Sequence, residues 1–201
     1  MKKIIKLGLI LGIYASVSCC LLAVVNSFTA PVIEKLEIEK EQNALKLVLS
    51  SASNYFPADA AEIEDAVSKC GQEIGSITIN KIFKAVDADG NTIGYAANIT
   101  GPTFEKSTIL MGMDSQMMIT GVNILKTTDT PGAQKLADYK TSKVTTGKSW
   151  AGQFEGVYPL ESFETNKDYE VISGATISSG GIAAMIKAGS AVIKSYAETK
   201  N

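Results

Sequence analysis

The spacing of apolar positions changes character along this chain. From Leu7 to Val25, "LGLILGIYASVSCCLLAVV", nineteen residues pass without a charge. As a helix, with Ile4 and Ile5 before and Phe28 after, this run is long enough to cross a hydrocarbon core of about 30 Å. Beyond it, Ile33, Leu36, Ile38, Leu45, Leu47 and Val48 form an imperfect apolar stripe between charges. That spacing predicts a helix or helix pair over Thr29 to Phe56, with Pro31 at a possible new start and Pro57 as the break. "DAAEIEDAVSKCG" predicts a short second helix closed by Gly71.

From Ser76 the period falls to two. "SITINKIFKAVDADGNTIGYAANITG" alternates β-branched and polar residues, and Asp89-Gly90 marks a hairpin turn. "STILMGMD" and "MITGVNILKT" predict two further strands, joined by a turn at Asp114-Ser115-Gln116. After Lys126 the pattern is irregular, with a short helix expected in "AQKLADYK". Ile182, Met185, Ile186, Gly189, Ile193 and Tyr196 then share one face of a helix expected from about Ser179 to Thr199. The predicted class is α+β: an N-terminal transmembrane helix, then an antiparallel sheet flanked by helices. The expected divisions are 1–28 as cytoplasmic N-terminus and anchor, 29–75 as a helical connection, and 76–201 as the extracytoplasmic domain.

Charge sets the orientation. Lys2, Lys3 and Lys6 precede the apolar run, which places the N-terminus in the cytoplasm and the bulk of the chain outside, in a single pass. Without those three lysines, sixteen face 21 acids, a net charge of about −5, so no nucleic-acid partner is suggested. A cleaved signal peptide is the alternative, but the run exceeds a typical signal core and no Ala-x-Ala site follows it. A lipoprotein is disfavoured because the residue three before Cys19 or Cys20 is not leucine. Gly8 and Gly12 have the Gly-x-x-x-Gly spacing of close helix packing, a spacing also frequent by chance.

Composition removes several chemistries. The chain has no histidine, and all nineteen basic residues are lysines. A histidine-activated nucleophile and a histidine-ligated haem or zinc are excluded. Phosphate recognition by a bidentate guanidinium is excluded too. Cys19, Cys20 and Cys70 form no Cys-x-x-Cys pattern, and Met111, Met113, Met117 and Met118 read as packing residues rather than a metal site. A redox role would require an organic group.

The sharpest local feature is "ISGATISSGG", small residues directly before a helix. Unpaired N–H groups and the positive end of a helix dipole suit an anion there. Ser173, Thr176, Ser178 and Ser179 supply hydroxyls, while Gly174, Ala175, Gly180 and Gly181 keep the backbone open. On residue chemistry alone a plain helix entry, with Ser178 or Ser179 as N-cap, is the favoured reading, because serine–glycine turns before helices are common.

"EVISGAT" (Glu170 to Thr176) resembles the flavinylation motif of the covalent FMN-binding domain family, Asp-x-x-Ser/Thr-Gly-Ala-Thr, with Glu170 in the Asp position. "TTDTPGAQK" is similar to that family's Glu-Thr-Pro-Gly segment, with Asp129 for Glu and Thr130, Pro131 and Gly132 intact, though Ala133-Gln134 replaces its Leu-Gly. "SWAGQFEG" is similar to a segment with Trp150, Gln153 and Phe154, and "IGYA" keeps the expected order. With the anchor and the length, the resemblance covers most of the chain. It lies nearest the G subunits of Rnf ion-translocating electron-transfer complexes, relatives of the C subunit of the sodium-translocating NADH:quinone oxidoreductase.

The resemblance implies FMN joined to Thr176 by a phosphoester, attached by a separate magnesium-dependent flavin transferase that uses FAD. It implies Ser173, Gly174, Ala175 and Ser178 around the phosphate, and Thr130, Pro131 and Gly132 along the flavin ring. Thr127, Thr128 and Asp129 are candidates for bonds to that ring, while Trp150 and Phe154 read as core residues. The implied activity is electron relay between reduced ferredoxin and NAD beside other membrane subunits of an Rnf-type complex. A quinone-reductase C-type subunit, an independent FMN carrier, and a tethered binding or assembly protein without flavin are the alternatives.

Overall fold

The computed structural model describes residues 2–129, 136, 149–160, 163–165 and 167–200. The chain divides into two compact units, 1–40 and 41–201.

The first unit lies within a long helix, α1 (Lys2–Val48). Its apolar window is exposed throughout and long enough to cross a membrane. Pro31 lies inside α1 instead of starting a new helix. The ring removes a single backbone donor there, and the helix continues past it.

The second unit is built on a five-stranded antiparallel meander, β1 (Asn54–Pro57), β2 (Thr78–Val86), β3 (Thr92–Pro102), β4 (Lys106–Asp114) and β5 (Ile119–Thr127), in that spatial order. The expected hairpin turns are present. Asp87 Oδ1 accepts the Asp89 and Asn91 N–H groups around Gly90 (φ +85°). Asp114 Oδ1 does the same for Gln116 and Met118.

Side chains alternate between the two faces of a strand, and here both faces of the central strands are covered. On one face Tyr95, Ala97, Ile99, Ile109, Met111 and Met113 pack with α2 (Ala60–Lys69) and the C-terminal helix α3 (Thr176–Lys200). The stripe of α3 expected from the sequence, Ile182 to Tyr196, is buried there. On the other face Phe83, Ala85, Ala96 and Leu110 pack with Ala44, Leu45, Val48 and Leu49, the end of α1 and the residue after it. Glu41 adds polar ties on this side, to Lys81 Nζ at 2.6 Å and Asn98 Nδ2 at 2.6 Å.

Two expectations change. The helix expected to reach Phe56 ends at Val48, and Asn54–Pro57 is a strand paired with Val86–Phe83 of β2. Tyr55 fixes the return, its hydroxyl donating to the carbonyls of Leu49 (2.8 Å) and Leu45 (3.2 Å). The helix expected in "AQKLADYK" lies outside the described residues except at Leu136, which is helical and buried. The methionine reading holds for Met111 and Met113, which are fully buried in the sheet core.

Candidate functional site

The small-residue stretch is a turn that flows directly into α3. Ala175 N–H donates to the Ile172 carbonyl at 2.9 Å, and Gly174, at φ +79°, takes the left-handed conformation that glycine tolerates best. Thr176 is the first residue of α3, so the helix begins earlier than the expected start near Ser178 or Ser179. Neither serine is an N-cap. Both lie inside the first turn, where Ser179 Oγ donates back to the Ala175 carbonyl at 2.8 Å and accepts from Ile172 N–H at 3.4 Å. Ser179 thus ties the first turn of α3 to the backbone of the preceding turn at Ile172.

Ser173, Gly174, Thr176 and Ile177 are exposed, whereas Ala175, Ser178 and Ser179 are buried. The Thr176 hydroxyl donates to the Ile172 carbonyl at 3.4 Å, a long bond. Among the described residues, no side-chain base meets that hydroxyl.

The two glycines that follow have different roles. A Cβ on Gly180 would meet nothing within 4 Å, but on Gly181 it would lie 2.5 Å from the Pro102 carbonyl oxygen and 3.0 Å from Thr103 Cα. Gly181 therefore seats the start of α3 against the end of β3, rather than keeping the turn open as its neighbour does. Gly180→Ala is expected to stabilise the unmodified protein by about 0.5–1 kcal/mol through helix propensity. Gly181→Ala should destabilise it by about 1–3 kcal/mol through overpacking. Urea unfolding of the two variants side by side measures the contrast.

Asp129 ties this turn to the sheet. Its carboxylate accepts from Ser178 Oγ, Thr103 Oγ1 (2.7 Å), Glu105 N–H (2.9 Å) and Phe104 N–H (3.3 Å). Behind it, Ser107 bonds Thr103 at 3.0 Å and donates to Thr127 Oγ1 at 2.9 Å, and Asp129 N–H donates to that same Oγ1 at 3.2 Å. Burial pushes the Asp129 carboxyl up, but the bond from Ser178 and then those from Glu105, Thr103 and Phe104 hold it below the ordinary range. Among the described residues no lysine pairs with this carboxylate; hydroxyls, amides and the nearby helix start balance its charge.

A second clamp holds the chain just before the motif. Gln153, in a 3₁₀ helix (Trp150–Phe154), accepts Glu170 N–H at 2.7 Å and donates to the Glu170 carbonyl at 3.2 Å. The same carbonyl accepts the Trp150 indole N–H at 2.6 Å. Trp150 and Phe154 are fully buried and meet edge to face, as core residues. Asp168, the other acid near the motif, accepts Glu164 N–H at 2.8 Å and closes its own turn.

Asp129 and Ser178, 49 positions apart, are thus brought into contact, with Ser173, Gly174, Ala175 and Thr176 on the adjoining turn. Thr130, Pro131 and Gly132 lie outside the described residues. Thr103, Phe104, Glu105 and Ser107 are additions that sequence reasoning did not find. Their nearest signal was the polar break "TFEKS" between two strands.

The donor set fits an anionic cofactor such as FMN. An exposed hydroxyl stands at a helix start, where the first backbone N–H groups lack a preceding helical carbonyl, and the space over Gly180 is open.

Similarity to known proteins covers the long helix and much of the second unit. A family model for the RnfG N-terminal region matches residues 1–48, and one for the FMN-binding domain matches residues 105–190. The G subunit of the Na(+)-translocating ferredoxin:NAD(+) oxidoreductase complex of Acetobacterium woodii is 30% identical over 188 residues, 90% of this chain and 87% of that protein. The G subunit of an ion-translocating oxidoreductase complex of Methanosarcina acetivorans is 28% identical over 186 residues, 90% of this chain and 89% of that protein.

Proposed function

Because the chain belongs to the G-subunit family of Rnf-type ion-translocating oxidoreductase complexes and carries an FMN-binding domain, we propose that it holds one FMN covalently on Thr176 and relays electrons from a membrane anchor. The observation that carries the covalent reading is the setting of Thr176. It is the first, exposed residue of α3, with Ser178 and Ser179 fixing the turn behind it and open space at Gly180.

When bound, the flavin supplies one- and two-electron redox chemistry. The chain's own groups hold it. Thr176 Oγ1 carries the phosphoester, and the first N–H groups of α3 face the phosphate charge. Ser173, Gly174 and Ala175 shape the approach, and Ser178 with Asp129 keeps the helix start in place. Thr130, Pro131 and Gly132 are proposed to lie along the ring.

Among the described residues no side-chain base meets the Thr176 hydroxyl. A separate flavin transferase is the proposed maturation partner. It forms the Thr176 oxygen–phosphorus bond, breaks the pyrophosphate of FAD, releases AMP and takes up the threonine proton.

Residues 1–28 are proposed as cytoplasmic N-terminus and single-pass anchor, residues 29–75 as the connection, and residues 76–201 as the extracytoplasmic FMN domain, on the lysine flank and the exposed apolar helix. Relatives named as subunits of ferredoxin:NAD(+) and ion-translocating oxidoreductases point to the same reaction here, shared with other membrane subunits. The chain is then a redox subunit and not an enzyme by itself. Intact mass after co-expression with a flavin transferase tests the reading. A gain of one FMN less one water is expected; an unmodified chain beside a labelled control protein would leave a tethered binding protein instead.

A further inference from the structure

Large apolar side chains exposed on the second unit are few. Among its described residues they are Leu47, Phe56, Phe104 and Ile177. Two of these four stand at the turns that Asp129 joins. Phe104 is 61% exposed and donates its backbone N–H to Asp129 Oδ2, while Ile177 is 64% exposed and lies between Thr176 and Ser178, whose hydroxyl donates to that same oxygen. Ile177 also lies one helical turn before Gly181, the residue seated on Pro102 and Thr103. A hydrogen-bonded clip thus carries two residues with exposed apolar side chains, Phe104 on the turn after β3 and Ile177 next to Thr176 at the start of α3.

Phe104 and Ile177 are linked through Asp129 Oδ2, which accepts the Phe104 N–H and the hydroxyl of Ser178, the residue after Ile177. The other aromatic rings near the motif are committed elsewhere. Trp150 and Phe154 are fully buried against each other, and Tyr169 is buried against Phe154 and Phe163. Phe104, by contrast, is exposed, and its backbone is held by the same carboxylate that holds Ser178.

Resting on the covalent reading above, we propose that Phe104 and Ile177 form the apolar seat of the isoalloxazine ring, with Phe104 stacking on it and Ile177 closing one edge. Offset or edge-to-face stacking on an aromatic side chain is the favoured geometry for such a ring. This assigns a binding role to Phe104, on a turn outside the resembling segments, and to Ile177, the residue after the Thr176 motif. It also gives Asp129 a purpose, since one carboxylate fixes both the seat and the turn bearing the tether.

The test uses the full-length chain in detergent, flavinylated by co-expression, beside Phe104→Ala, Phe104→Tyr, Ile177→Ser and, as a control for an equally exposed ring far along the chain, Phe56→Ala. Intact mass is read first, then the visible circular dichroism of the flavin and quenching of its fluorescence by iodide. The expected result is equal flavin content in all five proteins. Phe104→Ala should lose the visible dichroism and become severalfold more sensitive to iodide, Ile177→Ser should move partway, and Phe104→Tyr and Phe56→Ala should stay as the parent. Unchanged dichroism and quenching in Phe104→Ala overturn the proposal. So does an unchanged flavin signal combined with failed assembly with other subunits, which would assign this face to a protein partner. A parent protein without covalent flavin overturns the covalent reading and this seat together, and the mass separates that outcome from the others.

Discussion

Thr176→Ala, co-expressed with a competent flavin transferase, is expected to stay at its unmodified mass and show no flavin fluorescence in a denaturing gel. The parent chain should carry one FMN in the same experiment. Loss should be complete, because the neighbouring hydroxyls cannot replace the missing one. Ser178 is buried and donates to Asp129, and Ser179 is fully buried and donates to the Ala175 carbonyl. Ser173 is exposed but lies across the left-handed Gly174, outside the helix start. Thr176→Ser keeps an oxygen at the helix entry and should recover labelling. Both changes fall on an exposed side chain, so stability should move by no more than about 0.5 kcal/mol and cannot account for the loss. A Thr176→Ala chain that still carries covalent flavin would place the attachment elsewhere.

Asp129→Asn is expected to cost about 2–3 kcal/mol at neutral pH and to reduce the extent of flavinylation. The carboxylate accepts four donors, and an asparagine turned either way loses acceptors and brings an amide N–H₂ toward O–H and N–H groups. The pH dependence supplies an independent check. Burial raises the Asp129 pKa, and the four hydrogen bonds, that from Ser178 foremost, more than reverse the effect, so the folded value lies below the unfolded one. The unfolded chain then binds the proton more readily. Stability contributed by this group is complete above the unfolded value near ~3.9 and is lost as pH falls through the lower folded value. Urea midpoints measured downward from pH 6 should show that acid loss in the parent and a smaller one in Asp129→Asn. Identical acid profiles would mean that Asp129 does not carry this coupling.

The sheet was readable from β-branched runs punctuated by turn residues, Asp89-Gly90 foremost, although both faces of its central strands are covered and burial does not alternate there. The stripe of α3 was readable from its helical period. Asn54–Pro57 was not, since a four-residue strand leaves no alternation to detect and its identity comes from β2 and the Tyr55 hydroxyl. At the site, Thr176 stood out through resemblance rather than local chemistry, which favoured an ordinary helix entry. The Asp129–Ser178 bond left no local trace, because an aspartate and a serine 49 positions apart have no periodicity to betray them. Nor does the sequence distinguish Gly180 from Gly181. Only the approach of the Pro102 carbonyl does.

The segment 41–49 decides where this protein can be cut. By similarity it falls largely within the N-terminal region that ends at residue 48, yet Ala44, Leu45, Val48 and Leu49 roof the second face of the sheet over Phe83, Ala85, Ala96 and Leu110. A gene trimmed to begin just before Glu41 removes the apolar run and keeps the roof, and should yield a water-soluble monomer. Trimming nine or ten residues further strips a greasy sheet bare, and the shorter product should aggregate on size-exclusion chromatography. The expected solubility boundary therefore lies inside a helix, several residues ahead of the first strand.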